Sequence, residues 1–99
     1  MATFITTIEF TAKGVKDIQD SPKRAAAFTA AAKKMGVNVT GIYWTLGSFD
    51  GAIIFEAPDD QVATAAMLSL ASEGNVQTKT SRAFDVAEIE KVIGIVSKK

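Results

Sequence analysis

A chain of 99 residues, 47% apolar and 22% charged, has the composition of one packed globular domain, too short for two cores and too apolar for disorder. Eleven basic and eleven acidic residues cancel, so no net field draws the chain to nucleic acid or to an anionic membrane surface. Cysteine and histidine are both absent, which removes disulfides, thiolate nucleophiles, zinc-thiolate and iron–sulfur sites, the commonest general base and the commonest transition-metal ligand.

The segment Met1 to Phe10 mixes threonines with large apolar residues, lacks a basic leader and carries Glu9, so it does not read as a signal peptide. No run is long and apolar enough to span a bilayer, and a cytoplasmic protein is the default expectation. From Thr3 to Phe10 the residues Phe4, Thr6, Ile8 and Phe10 share one face and Thr3, Ile5, Thr7 and Glu9 the other, the pattern of a first strand. Thr11 to Asp20 is a polar connection in which Val15 and Ile18 are spaced for a short helical turn resting on the core. Ser21-Pro22 starts a first helix from about Pro22 to Met35, with Ser21 expected to cap it, Phe28 and Met35 expected in the core, and Gly36 closing it. Val37 to Leu46 returns to period two, with Val37, Val39 and Tyr43 on one side and Ile42, Trp44 and Leu46 on the other.

Gly47 to Gly51 is rich in turn formers, and Ala52 to Ala57 reads as a third strand, again apolar on both faces. Pro58 ends it, Asp59 caps a second helix from about Asp60 to Glu73, and Gly74 closes that helix. Val76 to Phe84 is a fourth strand, polar enough to lie at an edge. Asp85 and Glu88 have capping-box spacing before Ile89, Val92, Ile93 and Val96, an apolar stripe on a third helix that ends in the polar tail Lys98-Lys99.

The order β-α-β-β-α-β plus a terminal helix predicts an α+β, ferredoxin-like domain over residues 1–99, with one antiparallel sheet and both main helices on one face. A solvated second face would show polar alternation, which strands two and three lack. That face is therefore expected to meet a second copy, giving a homodimer or higher homo-oligomer, unless the terminal helix covers it.

Four stretches together resemble the GYD-domain family: Ser21-Pro22-Lys23-Arg24-Ala25, Thr45-Leu46-Gly47-Ser48-Phe49-Asp50, Glu56-Ala57-Pro58-Asp59-Asp60 and Gly74-Asn75-Val76-Gln77-Thr78. The resemblance runs from about Thr3 to Phe84 and implies a dimeric α/β barrel in which two ferredoxin-like sheets face one another. The family's naming motif falls on Gly47, Phe49 and Asp50, with phenylalanine where the family usually has tyrosine.

Five residues are candidate ligand contacts: Tyr43, Phe49, Asp50, Arg24 and Arg82. A carboxylate beside an aromatic ring at a strand end can orient a small polar molecule, although Asp50 can equally stabilise the turn and Phe49 fill core or interface. Arg24 and Arg82, the only arginines, can clamp a carboxylate or phosphate or pair with acidic neighbours. Tyr43 and Trp44 lie on opposite faces, so at most one is expected to line a given cavity. Glu9 and Glu56 are candidates for a carboxylate pair across neighbouring strands, with solvated positions as the alternative. RNA-recognition modules share the topology but need a basic surface, and Asp50 with Ala52-Ile53-Ile54-Phe55 offers none.

The leading functional expectation is a small self-associating domain that holds a small molecule, with no catalytic residue, metal or cofactor assigned and with no nucleic acid or membrane as partner. A cofactor-independent enzyme acting on an aromatic or activated substrate and a structural or regulatory subunit of a larger assembly are the alternatives.

Overall fold

The computed structural model describes residues 1–97; the Lys98-Lys99 tail lies outside the described residues. The chain runs β1 (Ala2–Phe10), α1 (Ala12–Lys16), a 3₁₀ turn (Ile18–Asp20), α2 (Ser21–Lys34), β2 (Asn38–Trp44), β3 (Gly51–Ala57), α3 (Asp60–Ser72), β4 (Val76–Ala83) and α4 (Val86–Ser97). The strands form one antiparallel sheet in the order β2-β3-β1-β4, the ferredoxin-like arrangement. As expected, β1 and β3 lie side by side in the centre and the polar strand β4 forms an edge.

Strand pairing turns the period-two pattern into two faces. Phe4, Thr6 and Ile8 of β1 and Ile53, Phe55 and Ala57 of β3 are buried against the helices, alternating with partly or fully exposed neighbours. The helices contribute Phe28 and Ala32 from α2 and Ala63, Ala66 and Met67 from α3 to the same core. Alanines on the inward helix faces let the backbones approach the sheet closely, so the rings of Phe4 and Phe55 stack beneath them with centroids 5.3 Å apart. Thr6 is the one fully buried polar side chain in that layer, and its hydroxyl is satisfied by Thr80 Oγ1 at 2.8 Å and Met67 Sδ at 3.2 Å.

Several local expectations need correction. A bulge between Val39 and Gly41 shifts the register of β2, so Val39 pairs with Phe55 while Gly41 pairs with Ile54. One inserted residue reverses side-chain parity, and Val39 therefore shares the helix-facing side with Ile42 and Trp44 rather than with Tyr43. Leu46 lies beyond the strand and is fully exposed. Ser21 is the first residue of α2, not its cap, because its hydroxyl accepts from the indole Nε1 of Trp44 at 3.0 Å. Met35, 37% exposed at the end of α2, and Val15 and Ile18 in the β1–α2 connection stay outside the core. Phe28, Gly36 with φ 87° and the Asp59 cap of α3, whose Oδ1 accepts from Val62 N at 2.8 Å, stand as expected.

The β1–α2 connection is tied to the start of β4. Thr11 N donates to Asn75 O at 3.1 Å, and the Thr11 hydroxyl donates to Gly74 O at 2.6 Å while accepting from Gly14 N at 3.1 Å. This places Gly14 directly against the Asn75 carbonyl, where a Cβ would sit 3.1 Å from the carbonyl carbon and closer still to its oxygen. Replacing glycine by alanine inside an unobstructed helix stabilises by roughly 0.5–1 kcal/mol. Here the sign reverses: Gly14→Ala is expected to destabilise by about 1–3 kcal/mol, the scale of an overpacked contact, as a lowered urea midpoint. A raised midpoint would show that the Asn75 carbonyl moves away freely.

Candidate functional site

The bulge in β2 shapes a cavity of about 60 Å³ between the first turns of α2, the helix-facing side of β1–β3–β2, and the end of α3. Ile8, Phe28, Ile42, Ile53 and Leu70 make its walls mainly apolar, and the indole of Trp44 stands at its border, half-exposed.

Arg24 reaches this cavity from the first turn of α2. Its Nη1 donates to the carbonyl of Asp17 at 2.8 Å, which fixes the guanidinium against the 3₁₀ turn. Its Nη2 is buried and has no hydrogen-bond partner, the one side-chain nitrogen or oxygen in that condition among the described residues. A buried guanidinium N–H without an acceptor is costly, so this nitrogen is a local destabilising feature of the start of α2. Glu73 and Asn75 border the same space, but no carboxylate approaches Arg24 within 4.0 Å among the described residues.

Tyr43 borders the cavity as well, although its ring crosses Gly41 on the opposite face of the sheet from Trp44. The side chains of Tyr43 and Trp44 lie on opposite faces of β2. Asp50 works on the backbone nearby. Its Oδ2 accepts from Phe10 N at 2.9 Å, its own N–H donates to Ile8 O at 2.7 Å, and its carbonyl accepts from Thr45 N at 3.0 Å. These bonds clamp the β2–β3 connection onto β1 and set Gly51 beside the cavity. Phe49 lies away from Arg24, in a depression shared with Thr7, Glu9 and Lys79. Glu9 and Glu56 are not brought together: Glu56 pairs with Thr3 near one end of β1, while Glu9 pairs with Gln77 near the other. Asn38 Nδ2 instead donates to Glu56 Oε1 at 3.1 Å.

Arg82 lies far from Arg24, at the base of α4. Its guanidinium packs over the ring of Phe84 at 4.6 Å, donates to the carbonyls of Thr3 and Ala83, and forms a 3.0 Å ion pair with Glu88. Glu88 completes the expected capping box, accepting from Asp85 N at 3.1 Å while its own N–H donates to Asp85 Oδ1 at 2.8 Å. Beyond this anchor α4 stands away from the domain. No residue of the helix is buried, and Ile89, Val92, Ile93 and Val96 are 38–59% exposed along one stripe. The radius of gyration of 15.2 Å exceeds the about 13 Å of a compact chain of this length, in keeping with a projecting helix. The open sheet face is also uncovered, with Ile5, Ala52, Ile54 and Tyr43 bounded by Glu9, Glu56, Asn38, Gln77 and Lys79. No helix among the described residues is long and apolar enough to cross a membrane.

The Arg82 hydrogen bond, helped by the Asp85 N–H and opposed by desolvation, holds the Glu88 carboxyl below the ordinary glutamate range. A depressed carboxylate pKa contributes stability that is present above the ordinary value and is lost as pH falls through the depressed one. In a carbon-detected NMR titration Glu88 is expected to protonate below the ordinary glutamate value, and Arg82→Met to raise its midpoint. An unchanged Glu88 midpoint in the variant would show that Arg82 does not anchor α4.

The profile of the GYD domain matches residues 4–93. A protein of Thermus thermophilus, named glutamine synthetase and cystathionine beta-lyase binding protein, is 34% identical over 90 residues, covering 90% of this chain and 95% of the relative. Among solved structures, TTHA0845, also from Thermus thermophilus, superposes with a TM-score of 0.57 at 19% identity, covering 87% of this chain and 96% of that one. FFRP-DM1 gives 0.56 at 17% identity, covering 85% and 100%. At these identities the two structures share the fold with this chain. The match over nearly the whole length, together with the motifs at Gly47–Asp50 and Gly74–Thr78, shows that the chain belongs to the GYD-domain family.

Proposed function

We propose that this chain is a non-catalytic protein-binding domain that self-associates through its open sheet face and presents α4 to a metabolic enzyme. The observation that carries the reading is α4, a helix with an apolar stripe and no buried residue, anchored only at its first turn. A narrow stripe at three- and four-residue spacing is the form in which a helix fits the groove of another protein. The name of the Thermus thermophilus relative, a binder of two enzymes, supports an enzyme as the partner. The open sheet face differs in character: small and branched apolar residues at the centre with charged and amide groups around them are the anatomy of a modest, self-complementary interface. Catalysis is disfavoured by the dispersal of the polar tools, since Asp50 is bound to backbone groups, the glutamates of β1 and β3 lie apart, and Arg24 has no base beside it.

The two surfaces are separable by mutation. In light scattering over a dilution series, the wild-type chain is expected to remain oligomeric at micromolar concentration and Ile54→Asp to become monomeric. A monomeric wild type would overturn the self-association. In native mass spectrometry with purified glutamine synthetase, the wild type is expected to form a complex, and Ile93→Asp to lose it while keeping its oligomeric state. If Ile93→Asp dissolves the oligomer instead, α4 belongs to the interface between copies and its assignment to the enzyme fails.

A further inference from the structure

We infer that the depression between the β2–β3 connection and strands β1 and β4 binds a small zwitterion of amino-acid type, with Lys79 holding its carboxylate and Glu9 its ammonium. The inference does not rest on the protein-binding reading, because one copy of the chain supplies every group. The depression is open to solvent and measures about 350 Å³, on the scale of small-molecule sites at about 300–1,000 Å³.

Strand register places the charges. Thr7 pairs with Lys79 and Glu9 with Gln77, and because Phe4, Thr6 and Ile8 face the helices, these four side chains stand on the open face. Glu9 and Lys79 are diagonal neighbours there, a relation that sets Cα atoms roughly 7–8 Å apart and within reach of long side chains. Even so they form no ion pair, and none of Thr7, Glu9, Ser48, Gln77 and Lys79 makes a side-chain hydrogen bond among the described residues. Elsewhere on the sheet such groups do meet, Asn38 with Glu56 and Arg82 with Glu88. One negative and one positive charge therefore border the same space, each without a protein partner. A monoanion or a monocation would meet one attractive and one repulsive group, whereas a zwitterion is matched at both ends.

The loop side of the depression is fixed in advance. Phe49, half-buried, is the apolar member of the lining, and its carbonyl accepts from the Thr45 hydroxyl at 2.6 Å. The next residue, Asp50, is bound through side chain and backbone to Phe10 and Ile8 of β1. A wall held in place before binding lowers the ordering cost of a ligand. The Gly47–Asp50 motif thereby acquires a division of labour: Gly47 turns the chain at φ 138°, Asp50 clamps it, and Ser48 and Phe49 border the ligand.

The test is an NMR titration of the ¹⁵N-labelled chain. L-leucine is expected to shift the amides of Thr7, Glu9, Ser48 and Lys79 saturably. Leucine methyl ester, which keeps only the ammonium, and N-acetyl-leucine, which keeps only the carboxylate, are expected to bind at least about tenfold more weakly, as for loss of one charge-assisted hydrogen bond. Glu9→Gln and Lys79→Gln, at exposed positions where substitution leaves the fold intact, are each expected to weaken leucine binding about tenfold. The Ile54→Asp chain is expected to bind leucine as the wild type does, which separates this site from self-association. No saturable shift up to about 10 mM leucine, equal affinity for the three probes, or loss of binding in Ile54→Asp would overturn the assignment.

Discussion

A single extra residue in β2, inserted between Val39 and Gly41, decides which side chains of the edge strand meet the helices. Without it, strict alternation would send Val39 and Trp44 to opposite faces of the sheet. With it, Val39, Ile42 and Trp44 all face α2, and Tyr43 alone among the large residues of the strand is left on the other side. Thr40, the residue displaced by the bulge, is not left unsatisfied, since its hydroxyl donates to the Ile54 carbonyl at 3.1 Å. Trp44 can then reach Ser21 at the start of α2 and fix the distance between helix and strand. The cavity, its indole border and the direction from which Arg24 enters all follow from that distance.

The core beneath is built to tolerate such a locally irregular edge. Ala32, Ala63 and Ala66 are almost completely buried, and each presents a methyl group where a larger residue would hold the helix away from the sheet. Phe55 and Phe4 fill the space these small residues leave, each ring contributing about 1.5–3 kcal/mol on full burial. Regular packing in the β1–β3 centre and irregular packing at β2 thus coexist. The first supplies stability, and the second leaves room beside α2.

At the opposite edge the chain treats its last helix differently. Arg82, Glu88 and Asp85 form a compact hydrogen-bonded joint that sets the direction of α4 as it leaves β4, with Phe84 packed against the guanidinium. Past this joint the helix has no tertiary contact that buries it, so its apolar stripe remains available. An isolated helix of about 12 residues is marginal in water, and most helical stability comes from packing an apolar face. The stripe of α4 therefore makes physical sense as half of an intermolecular contact. The two uncovered surfaces, α4 and the open sheet face, arise for one reason: the sheet has a single layer of helices, and the third helix leaves rather than folding back.

Much of this architecture follows from local sequence. Runs of β-branched and apolar residues bounded by turn formers mark the strands, with alternating polarity in β1 and with apolar residues on both faces of β2 and β3. Gly36, Asp59, Gly74 and the Asp85–Glu88 pair fix helix ends through backbone chemistry that acts within a few residues. Even the uncovered sheet face is foreshadowed by the apolar residues on both sides of strands two and three. What local sequence does not hold is the bulge. Val37 to Leu46 fits unbroken alternation, and only pairing with β3 reveals the extra residue, because register is a property of two strands. From that hidden shift came the wrong face for Val39 and the separation of Tyr43 from the side it was expected to share. Ser21 reads as a helix cap from its neighbours, yet its hydroxyl is taken by Trp44, 23 positions away. Likewise the fate of each arginine depends on distant partners: Arg82 finds Glu88 and the Thr3 carbonyl, while Arg24 finds one carbonyl and a cavity. Sequence by itself determined the elements, their order and the chemical groups available, since these rest on short-range sterics and hydrophobic pattern. Tertiary structure alone decided which of those groups lost their partners, because burial and hydrogen-bond satisfaction are settled only when separate segments meet.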